Sequence, residues 1–370
     1  EPQAEFYNGV YTGELISCDP HPESDTMAVA KFDLGDLGVK QIIFAQKHVV
    51  EIGEILPIAI AGANLKSGIE INNSEIRGVK SEGMICDNSE MGMKNESLLR
   101  FPANTPLGQS LDQIIEACAD TLIDIDNKSL THRPDLMGHR GFAREFASIF
   151  DADLMLPEPL VAMPKDLPNV VSVDVQTAHC RRFCAIRVEN ITVESSNHND
   201  IIRLESLGIR AISNLVDITN LIMLGYGQPM HVFDADKIEG DLIVRQAKVG
   251  ETLIALDGEE YTLTEKDTVV ADQQKVLSIA GIMGGAHSGV TKETKNIVFE
   301  SANWDPVAVR KSSARLGLRS DSSMRYEKSL DPEMNKRAVF AATERLLELC
   351  PDAIITSPLC DEYPRPIESV

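Results

Sequence analysis

The sequence contains no run of about 18 uncharged apolar residues, so no segment reads as a membrane-spanning helix. Its opening, EPQAEFYNGV, has no basic start, no apolar stretch and no small-residue cleavage site, and does not read as a secretory leader. It also has no initiator methionine, and the expectation is a chain that begins inside a longer polypeptide. The seven cysteines (Cys18, Cys86, Cys118, Cys180, Cys184, Cys350 and Cys360) include no C-x-x-C pair. Cys180 and Cys184 have no second pair at zinc spacing, so neither structural zinc nor a disulfide scaffold is expected, and the thiols read as reduced. No G-x-x-x-x-G-K-[ST] loop and no G-x-G-x-x-G opening a helix occurs, so nucleotide binding has no local basis. The G-x-S-x-G elbow of serine hydrolases and the H-E-x-x-H zinc motif are missing too. Any catalysis here has to position a water and stabilise charge with ordinary side chains.

Basic residues are in deficit: 35 Lys and Arg against 57 Asp and Glu give a formal charge of −22. That balance opposes non-specific binding of nucleic acid, which needs Lys and Arg against phosphates. An RNA would have to be held by a small local patch or by a partner chain. Hydrophobic content of 43% is ordinary for a globular protein. The 370 residues exceed one ordinary core and predict two or three domains.

Alternating runs between residues 5 and 108 (VYTGELIS, MAVAKFDLG, KQIIFAQ, EILPIAIAGANL) are separated by Gly, Pro, Asn and Asp, the pattern of a small sandwich or barrel. Between 118 and 150 an apolar strand (TLIDID) precedes a turn and a helical pattern (HRGFAREFASIF). Lys128, Arg133, Arg140 and Arg144 gather there with His132 and His139, either as a solvated face with an Arg133–Asp135 turn or as a phosphate or subunit contact. Residues 151–167 carry three prolines and read as a linker. Strand-like runs then dominate 168–358, from NVVSVDV to NIVFES, with a hairpin signal at Asp257-Gly258. Helical spacing over 211–224 predicts a helix stopping before Gly225. Asp305-Pro306 and Asp331-Pro332 predict helix starts, the first ending at Gly317. Strands and helices that do not strictly alternate argue an α+β multidomain chain. The tail DEYPRPIESV reads as an opened linker to further domains.

Four places carry candidate chemistry. His231 follows Gly227-Gln228-Pro229-Met230 past a helix end, where an imidazole can hydrogen-bond water or an ester oxygen, or simply sit as a structural residue. Glu300 ends the apolar strand NIVFES. It is either a strand terminus paired with Arg310 or Arg325, or a specificity group awaiting a donor. A phenol hydroxyl supplies that donor and a bare phenyl ring does not, a difference able to reach about four or five orders of magnitude. Ala280-Gly281 and the glycines after them let a ring or backbone approach closely and offer amides to a carbonyl oxygen. Thr219 and Asn220, at the end of VDITN, can orient an amino group or a terminal adenosine, or cap a helix.

As an ordered set, NLVDITN, GQPMHVFD, AGIMGG, VFESANWDP and GLRSDSSMRYEKSLDPE closely resemble the editing region of bacterial phenylalanyl-tRNA synthetase beta chains. HPESDTMAVAKFDLG and RGVKSEGMICDNSEMG resemble that family's oligonucleotide-binding (OB) fold at His21, Pro22, Asp25, Arg77, Gly78, Ser81, Glu82, Gly83 and Met84. The resemblance departs at Ala45-Gln46-Lys47, where relatives tend to have a Gly-containing turn. It implies a small OB-fold-like β-barrel over 1–117, part of a small α/β domain and linker over 118–167, a larger mixed α/β editing domain over 168–358, and a linker over 359–370. It further implies hydrolysis of tyrosine wrongly esterified to tRNA(Phe). Glu300 would read the tyrosine hydroxyl, and His231 would hold the ester or its water. Ala280 and Gly281 would form the ring wall, with Thr219, Asn220 and Pro229 shaping the rest. By the same resemblance the whole enzyme pairs two alpha with two beta chains in the cytoplasm and uses ATP and magnesium, and no metal or cofactor is assigned to residues here. The alternatives are a non-catalytic scaffold for the alpha chain and RNA, and a free-standing RNA-binding protein, which the charge of −22 disfavours.

Overall fold

A computed structural model of the chain describes residues 7–45, 49–91, 98–101, 103–114 and 122–366. Its contacts group into two units, Glu1–Asp124 with Ser195–Ala211, and Ile125–Glu194 with Ile212–Val370.

The first unit is built on strands β1 (Val10–Pro20), β2 (Met27–Asp33), β3 (Val39–Ala45) and β4 (Ile55–Ile60); β2 alternates buried with more exposed residues, whereas β4 is an apolar run buried almost throughout. A hairpin of β5 (Ser74–Ile76) and β6 (Val79–Ser81) leads into β7 (Gly83–Ile85). The five-stranded antiparallel sheet runs β3-β2-β1-β4-β7. A bulge between Leu15 and Ser17 bends β1, a device that lets a sheet curl. The curl brings the ends of the sheet together: Glu82 N donates to Gln41 O at 2.8 Å and Ile43 N to Ser81 Oγ at 3.1 Å. Leu15, Phe32, Ile42, Leu56 and Ile58 fill the resulting barrel. His21 and Arg77 serve this frame. The His21 ring accepts from Glu23 N and lies 3.2 Å from Ile76 O, while Arg77 donates to Glu23 O, so both pin the β1–β2 turn to the β5–β6 hairpin. Gln46 and Lys47 of the divergent turn, and Cys118, lie outside the described residues. The helix His198–Ser206, capped by Asn197, groups with this unit.

The second unit has three layers. Its central sheet, in the order β10-β17-β9-β18, contains β9 (Cys180–Glu189), β10 (His231–Asp234), β17 (Ile297–Trp304) and β18 (Ile354–Ile355). One face carries Cys184, Ile186, Val232, Ile297 and Phe299 against the helices Asn214–Tyr226 and Glu333–Leu349. The other carries Phe183, Phe233, Val298, Ala302 and Trp304 against a second sheet. That sheet runs β16-β15-β14-β11-β8, from β8 (Val173–Val175), β11 (Leu242–Gln246), β14 (Thr268–Ala271), β15 (Val276–Ile279) and β16 (Met283–Gly284). Because β17 is covered on both faces, all eight of its residues are buried, the acidic Glu300 and the polar Ser301 and Asn303 included. β12 (Thr252–Ile254) and β13 (Glu260–Thr262) form the hairpin expected around Asp257-Gly258.

Several expectations need correction. Leu122–Asp126 form no strand; Leu122 and Ile123 are exposed, and no strand among the described residues pairs with them, while Thr121 lies outside those residues. The helix expected to stop before Gly225 runs through it to Tyr226, because the left-handed cap is Gly227 (φ 74°), whose amide reaches Met223 O. Asp305 caps Pro306–Leu316 through Ala308 N as expected, whereas Glu333–Leu349 begins after Pro332, with Asp331 accepting from Glu333 N. The stretch expected to be an opened linker adds β19 (Cys360–Glu362) to β9, and the buried Arg182 holds it through both oxygens of Asp361. Of the clustered bases, Arg133 and Arg144 pair with Asp135, Arg133 also with Glu145, and Arg140 with Glu158, so carboxylates already occupy these three.

Candidate functional site

Register brings the two candidate side chains together. β10 and β17 pair antiparallel with His231 directly opposite Glu300. Directly opposed residues point to the same face, with Cβ atoms about 5 Å apart. That face looks toward the second sheet, since Phe233 and Val298, two residues along each strand, belong to the core between the sheets. His231 and Glu300 both line a hollow with Pro229, Met230, Gly281 and Tyr326, and Trp304, Ser322 and the 278–284 turn complete it.

Glu300 is only 6% exposed, and among the described residues its carboxyl makes no hydrogen bond or ion pair; neither Arg310 nor Arg325 reaches it. Burial without a partner pushes its pKa up to about 8, so the group is a neutral acid at pH 7. His231 packs edge-on against Phe233, ring centroids 4.4 Å apart, and its buried Nε2 has no partner. Burial lowers its pKa to about 4, which keeps the imidazole neutral. A base this weak holds a water or an ester oxygen by a hydrogen bond better than it removes a proton.

Two glycines make room for this arrangement. A Cβ on Gly284 would overlap His231 Cε1 and lie 2.8 Å from its Nε2. Gly281 has φ +69°, and a Cβ there would sit 2.7 Å from Trp304 Cδ1 and 3.1 Å from Tyr326 Cδ2. The amides suggested as carbonyl donors are partly engaged: Ala280 N binds Thr268 O, Ile282 N binds Ile279 O and Gly285 N binds Leu277 O.

Of the residues singled out in the sequence, His231, Glu300, Pro229 and Gly281 line this hollow. Ala280 instead lines a smaller cavity, with His179 and Asp305, that also borders Trp304. Thr219 and Asn220 lie inside the 214–226 helix, and Thr219 Oγ1 donates back to Val216 O at 2.7 Å. Neither lines the hollow. The reading of the sequence passed over Trp304 and Tyr326. Trp304 was detectable as the sole tryptophan, spaced by even steps from Glu300 along one strand face. Tyr326 had no such signal, because helix 321–326 and strand β10 are joined only by the fold.

The paired shifts set a pH dependence. Between pH 6.5 and 8 the unfolded chain has Glu300 ionised while the folded chain keeps its proton, so the unfolded state binds fewer protons and stability falls as pH rises. The fall is about 2 kcal/mol across that window. Below pH 6.5 the depressed His231 and His198 act in the opposite sense, since the unfolded histidines then bind more protons. Urea midpoints at pH 6.5 and pH 8 are expected to differ in the wild type and to converge in Glu300→Gln.

Comparison with known proteins agrees with this architecture. Residues 179–351 match the B3/4 domain family, and residues 10–110 match the family described as "Putative tRNA binding domain". The chain therefore joins a barrel of tRNA-binding type to a B3/4 domain. It is 37% identical to the phenylalanine–tRNA ligase beta subunit of Aliivibrio fischeri over 94% of its own length and 44% of the relative's. It is 36% identical to that of Vibrio cholerae over the same shares. An N-terminal fragment of the phenylalanyl-tRNA synthetase beta subunit from Pyrococcus horikoshii covers 52% of this chain and 60% of its own at 22% identity, but the TM-score of 0.30 is too low to define a shared fold. More particularly, over nearly its whole length the chain is similar to phenylalanine–tRNA ligase beta subunits, and it spans less than half the length of the curated relatives it matches. No helix among the described residues is long and apolar enough to cross a membrane, and none of their His, Cys, Asp and Glu side chains cluster as a metal site.

Proposed function

We propose that the second unit hydrolyses tyrosine wrongly esterified to tRNA(Phe), as the proofreading part of a cytoplasmic phenylalanine–tRNA ligase. In this reading the barrel supports tRNA binding and an alpha chain completes the aminoacylating heterotetramer. ATP and magnesium belong to the aminoacylation reaction of that assembly, and no step here passes through them. One observation carries the reading: a buried carboxyl that stays protonated and a neutral imidazole with an unpartnered Nε2 stand side by side on the wall of one hollow.

The chemistry follows from those two states. The phenol hydroxyl of a tyrosyl group satisfies the Glu300 carboxyl, which otherwise stays buried without a hydrogen bond. A phenylalanyl ring would leave it unsatisfied, so tyrosine is favoured by what the other amino acid lacks. His231 Nε2 holds the attacking water or the ester oxygen. Water adds to the carbonyl carbon, the ester C–O bond breaks, the ribose oxygen leaves with a proton, and free tyrosine departs.

The test charges one tRNA(Phe) with tyrosine or with phenylalanine and follows release of each by the wild type and by the doubly substituted His231→Ala, Glu300→Ala chain. Tyrosine is expected to leave faster than phenylalanine, and the double substitution is expected to bring its release down to the rate in buffer. Undiminished release by the double variant would favour a scaffold without an editing site.

A further inference from the structure

The walls of the hollow are fastened at main-chain carbonyls from one short helix. On one wall the Tyr326 hydroxyl donates to Pro229 O at 3.0 Å. Gln228, fully buried, places its Nε2 3.0 Å from Pro229 O, 3.0 Å from Ala302 O on β17 and 3.1 Å from the Tyr326 hydroxyl. On the other wall Ser320, the cap of helix Asp321–Tyr326, donates its hydroxyl to Ile282 O at 2.6 Å and closes a capping box with Ser323. The same six-residue helix thus grips the strand entry that carries His231 and the turn that carries Gly281.

Gln228 is an expensive residue for simple filling. Its amide has two N–H groups for three acceptors, and its buried Oε1 has no partner. An apolar side chain of the same length would avoid the unsatisfied oxygen. What the amide does is tie Pro229, two residues before His231, to β17, two residues after Glu300. The two walls are therefore tied beside the pair they carry, where a misplacement of about 1 Å costs on the order of a hundredfold in rate.

We propose that Gln228 and Tyr326 are positioning residues, which clamp the Pro229 carbonyl so that the His231 imidazole stays opposite Glu300. The proposal rests on the hydrolytic reading given above. The Tyr326 ring lines the hollow, but its hydroxyl is bound to the main chain, and Gln228 lies behind the wall. Both act through His231.

The test uses Gln228→Met and Tyr326→Phe, each close to isosteric, in the full chain. Two readouts are taken: kcat and KM for tyrosine release, and the imidazole NMR signals of His231 in 15N-histidine-labelled protein. Each variant is expected to lose about tenfold in kcat, equal to about 1.4 kcal/mol, with KM within twofold and with shifted His231 signals. The pair together is expected to lose no more than the worse single change, because both act on one carbonyl. Unmoved His231 signals with kcat within twofold overturn the proposal, and so does a loss confined to KM, which would mean direct contact with substrate. A rate loss that tracks only a lowered melting temperature, with His231 signals unmoved in the folded fraction, overturns it as well. Should the wild type release no tyrosine, the hydrolytic reading fails, and the NMR readout still decides whether the clamp sets the imidazole.

Discussion

Gly284→Ala is expected to reduce tyrosine release at least a hundredfold while leaving the fold intact. The added carbon falls on the His231 ring, overlapping Cε1 and crowding Nε2 at 2.8 Å. The ring cannot step aside freely, because Phe233 meets it edge-on at 4.4 Å and the residue is fixed in β10. Either the imidazole rotates away from Glu300 or the 283–284 strand lifts, and in both cases the hollow loses the spacing that holds ester and water. Single-turnover release measured beside a thermal melt checks this. A variant that melts normally and hydrolyses at the wild-type rate would show that His231 and Gly284 need not be in contact during the reaction.

Replacing Glu300 by Ala has the second large effect, and it falls on selectivity more than on rate. The carboxyl is buried, unpartnered and raised to about 8, so its energy improves when a hydroxyl arrives and does not when a bare ring arrives. With Ala there is no group left to satisfy, and the preference for tyrosine over phenylalanine is expected to drop by about a hundredfold or more. Phenylalanine release is expected to rise in absolute terms, because the penalty against an apolar ring disappears with the carboxyl. Glu300→Gln, which keeps a hydrogen-bonding group of the same length, is expected to retain part of the preference.

Much of the frame was legible in the sequence, for identifiable physical reasons. The first residues of strand β17 show as an apolar run ending at Glu300, and Asp305-Pro306 marks the next helix because cap and first-turn preferences are local. The facing of His231 and Glu300 was not legible. It depends on the register between strands 69 positions apart, and a slip of one residue would send either side chain to the helical face. Position 280 shows the same sensitivity, since Ala280 and Gly281 are neighbours in sequence yet line different cavities. Thr219 lies away from the hollow for another reason: its hydroxyl is satisfied by Val216 O within the helix, a bond that residue type alone does not reveal. The 122–126 segment had the composition of a strand and, among the described residues, no partner to pair with, which periodicity cannot reveal.

In the proposed reading the Glu300 carboxyl selects tyrosine by needing its hydroxyl. The most direct measurement is the ratio of kcat/KM for tyrosyl and phenylalanyl esters of one tRNA(Phe), taken in parallel for the wild type and Glu300→Ala. A ratio far above one in the wild type, collapsing toward one in the variant through faster phenylalanine release and slower tyrosine release, is the predicted result. An unchanged ratio, with both esters slowed alike, would contradict it and leave Glu300 a residue of the fold rather than of recognition.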